Sequence, residues 1–436
     1  MQSLLRPSGH DWMEIMLRLS GDALLKAFGC PAGRHNETRH GHARALAGLI
    51  VVLGLSACGT VPVWDAPLHL PDGQVQVTAD PRIGPSDQAR LEEMSVAIEA
   101  RLAQSGERFS ILALSGGGAK GAYGAGVLVG WSEAGTRPEF DVVTGVSTGA
   151  LAAPFAFLGP AWDGQLRGAY LESEAREIVT WRLLSILVKP SLFSSRALES
   201  LVDRYVTPEL LAAIAVEHDK GRRLIVVTTN LGSESPVIWD MGVLAKRTDP
   251  GGVALFRQVL VASASIPAVF PPVMIAGLAP DGSIVQEMHV DGGVTAPFLA
   301  VPEQFLDMSG SGAEEGDGDI YILINSQIEP RARPAPVTAG RILGRSYQAM
   351  SKSTTRAHVA ATRAFAARHG IDFHLSGIPG DMEASSFDFS PEAMERLFNV
   401  GRSRAAEGRA WTSARAPVVP QALPAMSSWS GEPLEK

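Results

Sequence analysis

The sequence predicts an α/β fold built on an open sheet, and two strand–turn–helix units carry most of that prediction. In each unit an apolar run, residues 109–115 or 140–143, leads into a glycine-rich turn and then into a stretch of small and apolar residues. This order is typical of a buried strand that turns into a helix. A third strand-like run, residues 283–290, ends at Asp291. In open α/β sheets, ligand sites form where strand ends meet at one edge.

Composition favours a single large enzyme over a fibrous or disordered protein. Of the 436 residues, 45% are hydrophobic and 19% are charged, which is enough apolar material for a large core. The formal net charge is −8, and no basic patch indicates a nucleic-acid partner. The two cysteines, Cys30 and Cys58, lie in no His/Cys cluster with metal-ligand spacing. We therefore expect neither a metal nor a cofactor.

Ser147 is the strongest candidate for a nucleophile. It lies in the sequence Gly-Val-Ser-Thr-Gly, between Gly145 and Gly149, where the second strand turns into a helix. Such a turn exposes the serine hydroxyl, and crowding on both sides of it requires glycine two residues before and two residues after. The N-terminus of the following helix also offers N–H groups to a developing oxyanion.

The turn after the first strand reads Gly-Gly-Gly-Ala-Lys-Gly and predicts an anion-binding loop. Its backbone can approach a ligand closely and its N–H groups lie beside a helix N-terminus. The anion is either a phosphate or the oxyanion of a tetrahedral intermediate. The loop comprises Gly116, Gly117, Gly118, Ala119, Lys120 and Gly121.

A dinucleotide-binding loop is the rival interpretation, because the same residues also fit G-x-G-x-x-G. That fold needs an acidic residue at the far end of the second strand. Asp141 has the required distance along the chain but lies at the start of that strand. We therefore reject the dinucleotide interpretation.

Four motifs in this order resemble those of the patatin-like phospholipases. They are the glycine loop, the serine turn, the Ser-Ala-Ser-Ile-Pro segment 263–267, and Asp-Gly-Gly at residues 291–293. The resemblance extends from about Phe109 to about Trp411. It implies a three-layer α/β/α fold with a central, mostly parallel sheet.

The resemblance also implies a catalytic dyad that contains no histidine. Ser147 is then the nucleophile and Asp291 the proton acceptor, with Gly292 and Gly293 completing the aspartate motif. The amides around Gly117, Gly118 and Ala119 form the oxyanion hole. Lys120 organises the loop or attracts a phosphate.

The expected function is that of a phospholipase A-like lipid acyl hydrolase that works through an acyl-enzyme. A carboxylesterase or thioesterase on soluble esters is the alternative, and a non-catalytic lipid-binding lipoprotein is a further one. A Ser-Asp-His triad would need a histidine after Asp291 in the chain. His358, His369 and His374 have that order, and His289 shares the strand face of Asp291.

The N-terminal region predicts export and lipid anchoring. An uncharged run, residues 45–57, is too short to span a bilayer but suits the apolar region of a signal peptide. Residues 55–58, Leu-Ser-Ala-Cys, resemble the lipobox of bacterial lipoproteins, which implies cleavage before Cys58 and lipidation of its thiol. We expect the protein in a bacterial cell envelope, on the periplasmic face of the outer membrane. The alternative is an uncleaved apolar helix with a chance cysteine.

The predicted organisation is a leader followed by a tether and one catalytic domain. In the tether, Asp87 lies where a helix running to about Ala103 should begin. The apolar stretch 181–193 lines an acyl groove, faces lipid or packs in the core. The predicted segments are a leader and signal peptide (1–57), a tether and packing helix (58–107), the acyl hydrolase domain (108–412, helical from about 338) and a loose tail (413–436).

Overall fold

A computed structural model describes most of the chain between residues 81 and 414. The described residues are 81–84, 87–172, 195–278, 283–301, 318–330 and 338–414, and they belong to one compact unit, Trp64–Lys436. The predicted leader, Cys58, the segment 181–193 and the tail from residue 415 lie outside the described residues.

The described residues form ten strands and ten α-helices, with short 3-10 turns between them. The strands are β1 (Arg82–Ile83), β2 (Phe109–Leu114), β3 (Val142–Val146), β4 (Arg223–Asn230), β5 (Ser235–Asp240), β6 (Val273–Leu278), β7 (Ile284–Asp291), β8 (Gly318–Ile324), β9 (Asp372–Gly377) and β10 (Thr412–Ala414). The helices are α1 (Gln88–Ser105), α2 (Gly121–Glu133), α3 (Thr148–Leu158), α4 (Asp163–Leu171), α5 (Arg196–Tyr205), α6 (Pro208–Asp219), α7 (Met241–Ala245), α8 (Pro250–Ser263), α9 (Ala339–Arg368) and α10 (Pro391–Ala406).

The centre of the sheet is parallel, as predicted. Strands β4, β3, β2, β8 and β9 lie side by side in that order, and each pairs with its neighbours in parallel. Antiparallel strands extend both edges, β5 and β1 beyond β4 and β10 beyond β9. Strand β3 runs from Val142 to Val146, so it starts and ends later than the predicted run 140–143.

Helices cover both faces of the sheet, which confirms the three-layer architecture. Alternate residues of β2 show the two faces: Leu112 and Leu114 pack with α2, α3, α8 and α10, whereas Ile111 and Ala113 pack with α1 and α9. All four side chains are buried. A strand buried on both faces reads as a continuous apolar run, and this is how β2 reads in the sequence.

Helix α1 begins where the sequence predicts it. The Asp87 carboxylate accepts a hydrogen bond from the Arg90 N–H at 3.3 Å and caps the first turn. The helix ends two residues beyond the predicted Ala103, at Ser105, and Gly106 follows with a φ of 68°. Glycine adopts this left-handed conformation without strain and terminates helices for that reason.

One edge of the sheet brings together the three turns that carry the candidate residues. The parallel strands β2 and β3 both end there, before the glycine loop and before Ser147. Strand β7 runs antiparallel to β4 and places Asp291 opposite Thr228. Among the described helices, none is long and apolar enough to cross a membrane.

Candidate active site

Ser147 occupies a strained turn between β3 and α3. Its φ is 58° and its ψ is −128°, a conformation that a residue with a side chain rarely adopts. A Cβ atom on Gly145 would lie 2.6 Å from the Cα of Ala150, and one on Gly149 would lie 2.4 Å from the Leu114 carbonyl oxygen. The close packing on both sides therefore accounts for the two flanking glycines.

Ser147 and Asp291 form a direct hydrogen bond. The Ser147 hydroxyl donates to Oδ2 of Asp291 over 2.5 Å, and Oδ1 of Asp291 accepts the Gly293 N–H at 2.7 Å. Both side chains are buried. Burial raises the pKa of Asp291 to about 7, although hydrogen bonds from Ser147 and Gly293 act in the opposite direction. Such a carboxylate is a competent proton acceptor near neutral pH.

The last residue of α8, Ser263, and the residues that directly follow it hold both members of this pair in place. The Ser147 N–H donates to Oγ of Ser263 at 3.0 Å, and that hydroxyl donates to the Val227 carbonyl at 2.7 Å. The Asp291 N–H donates to the carbonyl of Ser265 at 2.9 Å. One short segment therefore fixes the backbone of the serine and of the aspartate, which gives the Ser-Ala-Ser motif a structural role at the site.

The glycine loop presents fewer N–H groups than the sequence predicts. The Ala119 N–H donates to the Ser386 carbonyl at 3.0 Å, so it is not available to an oxyanion, contrary to the prediction. Within the described residues, no hydrogen bond engages the N–H groups of Gly117 and Gly118. The φ of Gly118 is 58°, and a Cβ there would lie 2.2 Å from the Ser386 carbonyl oxygen. Gly117 and Gly118 therefore remain as the candidate oxyanion donors of this loop.

Asn325, which the sequence analysis did not single out, fixes the start of this loop. Its N–H donates to Oγ of Ser115 and its Nδ2 to the carbonyl of Ser115, both at 2.8 Å. Its Oδ1 accepts the Gly124 N–H at 3.1 Å. Asn325 directly follows β8, so the available signal was a polar residue at the end of a strand beside β2.

Two cavities meet at Ser147. The larger has a volume of about 360 Å³ and a wall of mixed polar and apolar surface, and the smaller, of about 50 Å³, is mostly apolar. They share Gly118, Ser147 and Ile266. The larger cavity is lined by seven residues of the glycine loop, the serine turn and the aspartate motif: Gly116, Gly117, Gly118, Lys120, Ser147, Asp291 and Gly293. The smaller cavity includes Leu151, Tyr170, Leu198, Leu201, Phe270, Phe389 and Met394.

The remaining motif residues have separate positions. Lys120 lines the larger cavity, where burial and then repulsion from Lys352 lower the pKa of its ammonium group to about 8. At Gly121 a Cβ would lie 2.1 Å from Oγ1 of Thr148, so this glycine lets α2 pack against the start of α3. Gly292 packs against the Val227 carbonyl.

No histidine lines either cavity within the described part of the chain. The buried ring of His289 bonds through Nδ1 to Thr228 at 2.9 Å and through Nε2 to Glu287 at 3.1 Å. His374 bonds to Ser413 and Asp319. Both rings thus have partners away from Ser147.

Asp141 has a structural role at the start of β3. Its carboxylate accepts hydrogen bonds from Nε of Arg101 and from the Ser110 N–H, both at 2.8 Å. Asp141 therefore lies at the opposite end of β3 from the serine turn. From that end its carboxylate could not contact the ribose of a ligand bound at the glycine loop. The described residues also contain no group of three or more His, Cys, Asp or Glu side chains that could hold a metal ion.

The comparisons with known proteins place this site within a family. The sequence profile of the family described as "Patatin-like phospholipase" matches residues 112–302, which include the serine and aspartate turns. No curated protein matches the chain. Among solved structures, VipD from Legionella pneumophila is similar over 71% of this chain and 68% of its own, with 13% sequence identity and a TM-score of 0.31. At this level of similarity VipD adds nothing to the functional argument. The chain thus carries, at residues 112–302, a domain of the patatin-like phospholipase family.

Proposed function

We propose that this protein hydrolyses lipid acyl esters through a Ser147–Asp291 dyad and an acyl-enzyme intermediate. Membership of the patatin-like phospholipase family indicates the coarser activity, hydrolysis of lipid esters. The observation that carries the finer proposal is the 2.5 Å hydrogen bond between Ser147 and Asp291, at the junction of a larger cavity lined in part by polar and charged residues and a smaller apolar cavity.

Acylation requires a nucleophile and a proton acceptor within hydrogen-bond reach of each other. Oγ of Ser147 attacks the ester carbonyl carbon while its proton passes to Oδ2 of Asp291. The tetrahedral intermediate then collapses, the carbon–oxygen bond to the leaving alcohol breaks, and that alcohol takes the proton from Asp291. Water repeats the sequence on the acyl-enzyme and releases the free acid, which regenerates both side chains.

The intermediate carries a negative oxygen that needs hydrogen-bond donors. The N–H groups of Gly117 and Gly118 lie on the wall of the same cavity as Ser147. Removing one oxyanion donor from a serine hydrolase costs roughly 10²–10³-fold in kcat. Two preorganised backbone donors therefore account for a substantial part of the rate enhancement that we propose.

The two cavities suit the two halves of an amphiphilic ester. Around Ser147 the smaller cavity offers apolar contacts, including Leu151, Phe270 and Phe389, for the first part of an acyl chain. The larger cavity offers polar and charged groups to the alcohol portion of the ester. A phospholipid has both halves, whereas a short soluble ester would fill only part of this space.

The experiment that tests the proposal compares wild type with Ser147→Ala and with Ser132→Ala. Ser132 lies on α2 and its hydroxyl donates to the Leu128 carbonyl, away from both cavities. We expect Ser147→Ala to lose fatty-acid release from phospholipid and covalent labelling by a fluorophosphonate, while Ser132→Ala retains both. Full labelling of folded Ser147→Ala would move the nucleophile elsewhere. Hydrolysis of soluble thioesters or esters alone, without fatty-acid release from phospholipid, would favour the esterase alternative.

We also propose that lipidation of Cys58 anchors the enzyme to the bacterial envelope. The support is the sequence Leu-Ser-Ala-Cys after an apolar run of signal-peptide length. A lipid-anchored enzyme would lie close to its lipid substrate.

A further inference from the structure

Helix α9 contributes three cationic side chains to the larger cavity. Arg345, Lys352 and Arg356 line its wall, at spacings of seven and four residues along the helix. These spacings place side chains on one face of an α-helix. Gln348 and Thr355 line the cavity from the same face. The stripe lies outside residues 112–302, which the family profile covers.

Helix α9 lies close to the glycine loop and to Asp291, with which it lines the same cavity. Repulsion from Lys352 contributes, after burial, to the lowered pKa of Lys120 in the glycine loop. Burial, and after it the charge of Asp291, raises the pKa of Tyr347 on α9 to about 12. Charges that influence one another across a cavity also act on a ligand bound between them.

The described lining residues of this cavity include more cationic than anionic side chains, in a chain that is acidic as a whole. Lys120 and the three α9 cations face one carboxyl group, Asp291, among the described lining residues, whereas the whole chain has a formal net charge of −8. Asp291 itself carries a proton for part of the time near neutral pH because burial raises its pKa to about 7. The positive charge is therefore local to the cavity beside Ser147.

We propose that this cationic wall selects acyl esters whose leaving group carries a phosphate and a net negative charge. Anionic phospholipids, such as phosphatidylglycerol, are then preferred to zwitterionic ones, because the cations that attract the phosphate repel a choline ammonium group. This specificity rests on the proposed function, since it concerns the same site. Arg345, Lys352 and Arg356 are the specificity-determining residues from α9.

The kinetic test uses dihexanoyl phosphatidylglycerol and dihexanoyl phosphatidylcholine below their critical micelle concentrations, with p-nitrophenyl butyrate as a neutral ester. We expect wild type to prefer phosphatidylglycerol by about tenfold or more in kcat/KM. In Lys352→Gln/Arg356→Gln, the ratio of kcat/KM for phosphatidylglycerol to that for the neutral ester should fall about tenfold. Lys352→Arg, which keeps the charge, should retain the ratio of wild type.

The control is Arg363→Gln, which removes one positive charge from the same helix. Arg363 is exposed and packs over the ring of Phe373, 5.1 Å from its centroid, and it does not line the cavity. In Arg363→Gln, the ratio of kcat/KM for phosphatidylglycerol to that for the neutral ester should equal the ratio in wild type. An equal fall in Arg363→Gln would overturn the proposal, because the effect would then come from the overall charge. Equal rates of wild type on the two phospholipids would overturn it as well.

A binding measurement separates this proposal from the proposed function. Ser147→Ala is titrated by calorimetry with ether-linked dihexyl phosphatidylglycerol and phosphatidylcholine, which cannot be hydrolysed. We expect tighter binding of the phosphatidylglycerol analogue, and loss of that preference when Lys352→Gln/Arg356→Gln is added. This preference would stand even if wild type hydrolysed no ester, an outcome that would defeat the proposed function alone.

The last measurement is the binding of inorganic phosphate, because this ion has the same phosphate chemistry as the lipid head group. If the double variant loses binding of inorganic phosphate but keeps its preference for the phosphatidylglycerol analogue, the cations form a bare anion site and the proposal fails. Loss of the lipid preference in the double variant supports the proposal.

Discussion

Asp291 differs from an ordinary aspartate because it is buried without a cationic partner among the hydrogen bonds to its carboxylate. Its two oxygens accept hydrogen bonds from Ser147 and from the Gly293 N–H, which are neutral donors. Neutral donors stabilise the carboxylate less than an arginine or lysine would. Burial therefore dominates, and the pKa of Asp291 rises to about 7. A carboxylate with this pKa is poised to accept and return a proton at neutral pH.

The pH dependence of hydrolysis should report this pKa. Since the deprotonated form of Asp291 is the proton acceptor, kcat/KM for p-nitrophenyl butyrate should rise about tenfold per pH unit at acid pH and level off above about 7. Asp291→Asn should lower kcat/KM by about 10²–10⁴-fold, because an amide does not accept the serine proton. Initial rates between pH 5 and pH 9 in buffers of constant ionic strength measure both effects.

Histidine variants provide the control for this assignment. His289→Ala, His358→Ala, His369→Ala and His374→Ala should each retain a rising profile that levels off at the same pH. If one of them instead lost about 10²-fold or more while remaining folded, with Asp291 intact, a Ser-Asp-His triad would replace the dyad.

At the level of elements, the end of helix α8 acts as a clamp on the dyad. Ser263→Ala removes the acceptor of the Ser147 N–H and the donor to the Val227 carbonyl. We expect kcat to fall about tenfold with little change in KM, because the strained turn at Ser147 loses a restraint. We also expect a loss of about 1–3 kcal/mol in the free energy of unfolding, since buried polar groups lose their partners. Steady-state kinetics and urea unfolding measure the two effects.

Ser265→Ala is the matched control for the clamp. Ser265 is as buried as Ser263, but its hydroxyl bonds to Val261 while its carbonyl holds the Asp291 N–H. The substitution keeps that carbonyl, so kcat should stay within about threefold of wild type while the free energy of unfolding falls by about 1–2 kcal/mol. Equal losses of kcat in the two variants would contradict a positioning role for Ser263.

The local sequence patterns predicted the elements of the site better than its distant contacts. A glycine loop, a serine turn and an aspartate turn each have a short-range signature, because their residue types are dictated by local backbone geometry. The bonds of Asn325 to Ser115 and of the Ala119 N–H to Ser386 join residues some 200 or more positions apart. Such contacts depend on how β8 and the segment before α10 pack, which local patterns do not specify.

Helix α9 illustrates the same limit for charge. From the sequence, its spaced arginines and lysine are typical of a solvated helix face, and the predicted start of the helical part, about residue 338, lies next to the observed start of this helix at Ala339. Helix α9 packs against the sheet beside β9, and only this packing directs part of the charged face of the helix toward the cavity. The position of this helix was therefore predictable from the sequence, whereas its contribution to the cavity depends on the three-dimensional arrangement.

For the whole molecule, burial of the Asp291 carboxyl group reduces stability at neutral pH. Between 3.8, the ordinary pKa of an aspartate, and about 7, the folded chain holds a proton on Asp291 that the unfolded chain has released. The free energy of unfolding therefore decreases as pH rises through this window, and the whole reduction is present above pH 7. We expect Asp291→Asn to exceed wild type in stability by about 1–3 kcal/mol at pH 8, and to approach it near pH 4.

Thermal unfolding of both proteins between pH 4 and pH 8 measures this difference. Asp381→Asn serves as the control because Asp381 is exposed and lines neither cavity. Its melting temperature should follow that of wild type at every pH. A melting temperature of Asp291→Asn below that of wild type at pH 8 would show that the ionised carboxylate stabilises the fold, contrary to the burial argument.

The N-terminal sequence leads to a prediction about where the whole molecule resides. If Cys58 is lipidated, wild type expressed in a bacterial host should enter the membrane and detergent fractions and incorporate a clickable fatty acid. Cys58→Ser should block that incorporation and leave an unprocessed precursor, whereas Cys30→Ser, the change at the other cysteine, should behave as wild type. One acyl chain binds a membrane only marginally, so stable retention requires at least two, as lipoprotein maturation supplies. Because the chain is acidic, electrostatic attraction to anionic lipids would not substitute for the anchor. Recovery of wild type from a periplasmic extract, cleaved elsewhere and free of lipid, would refute the anchor and leave the Ser147–Asp291 dyad unaffected.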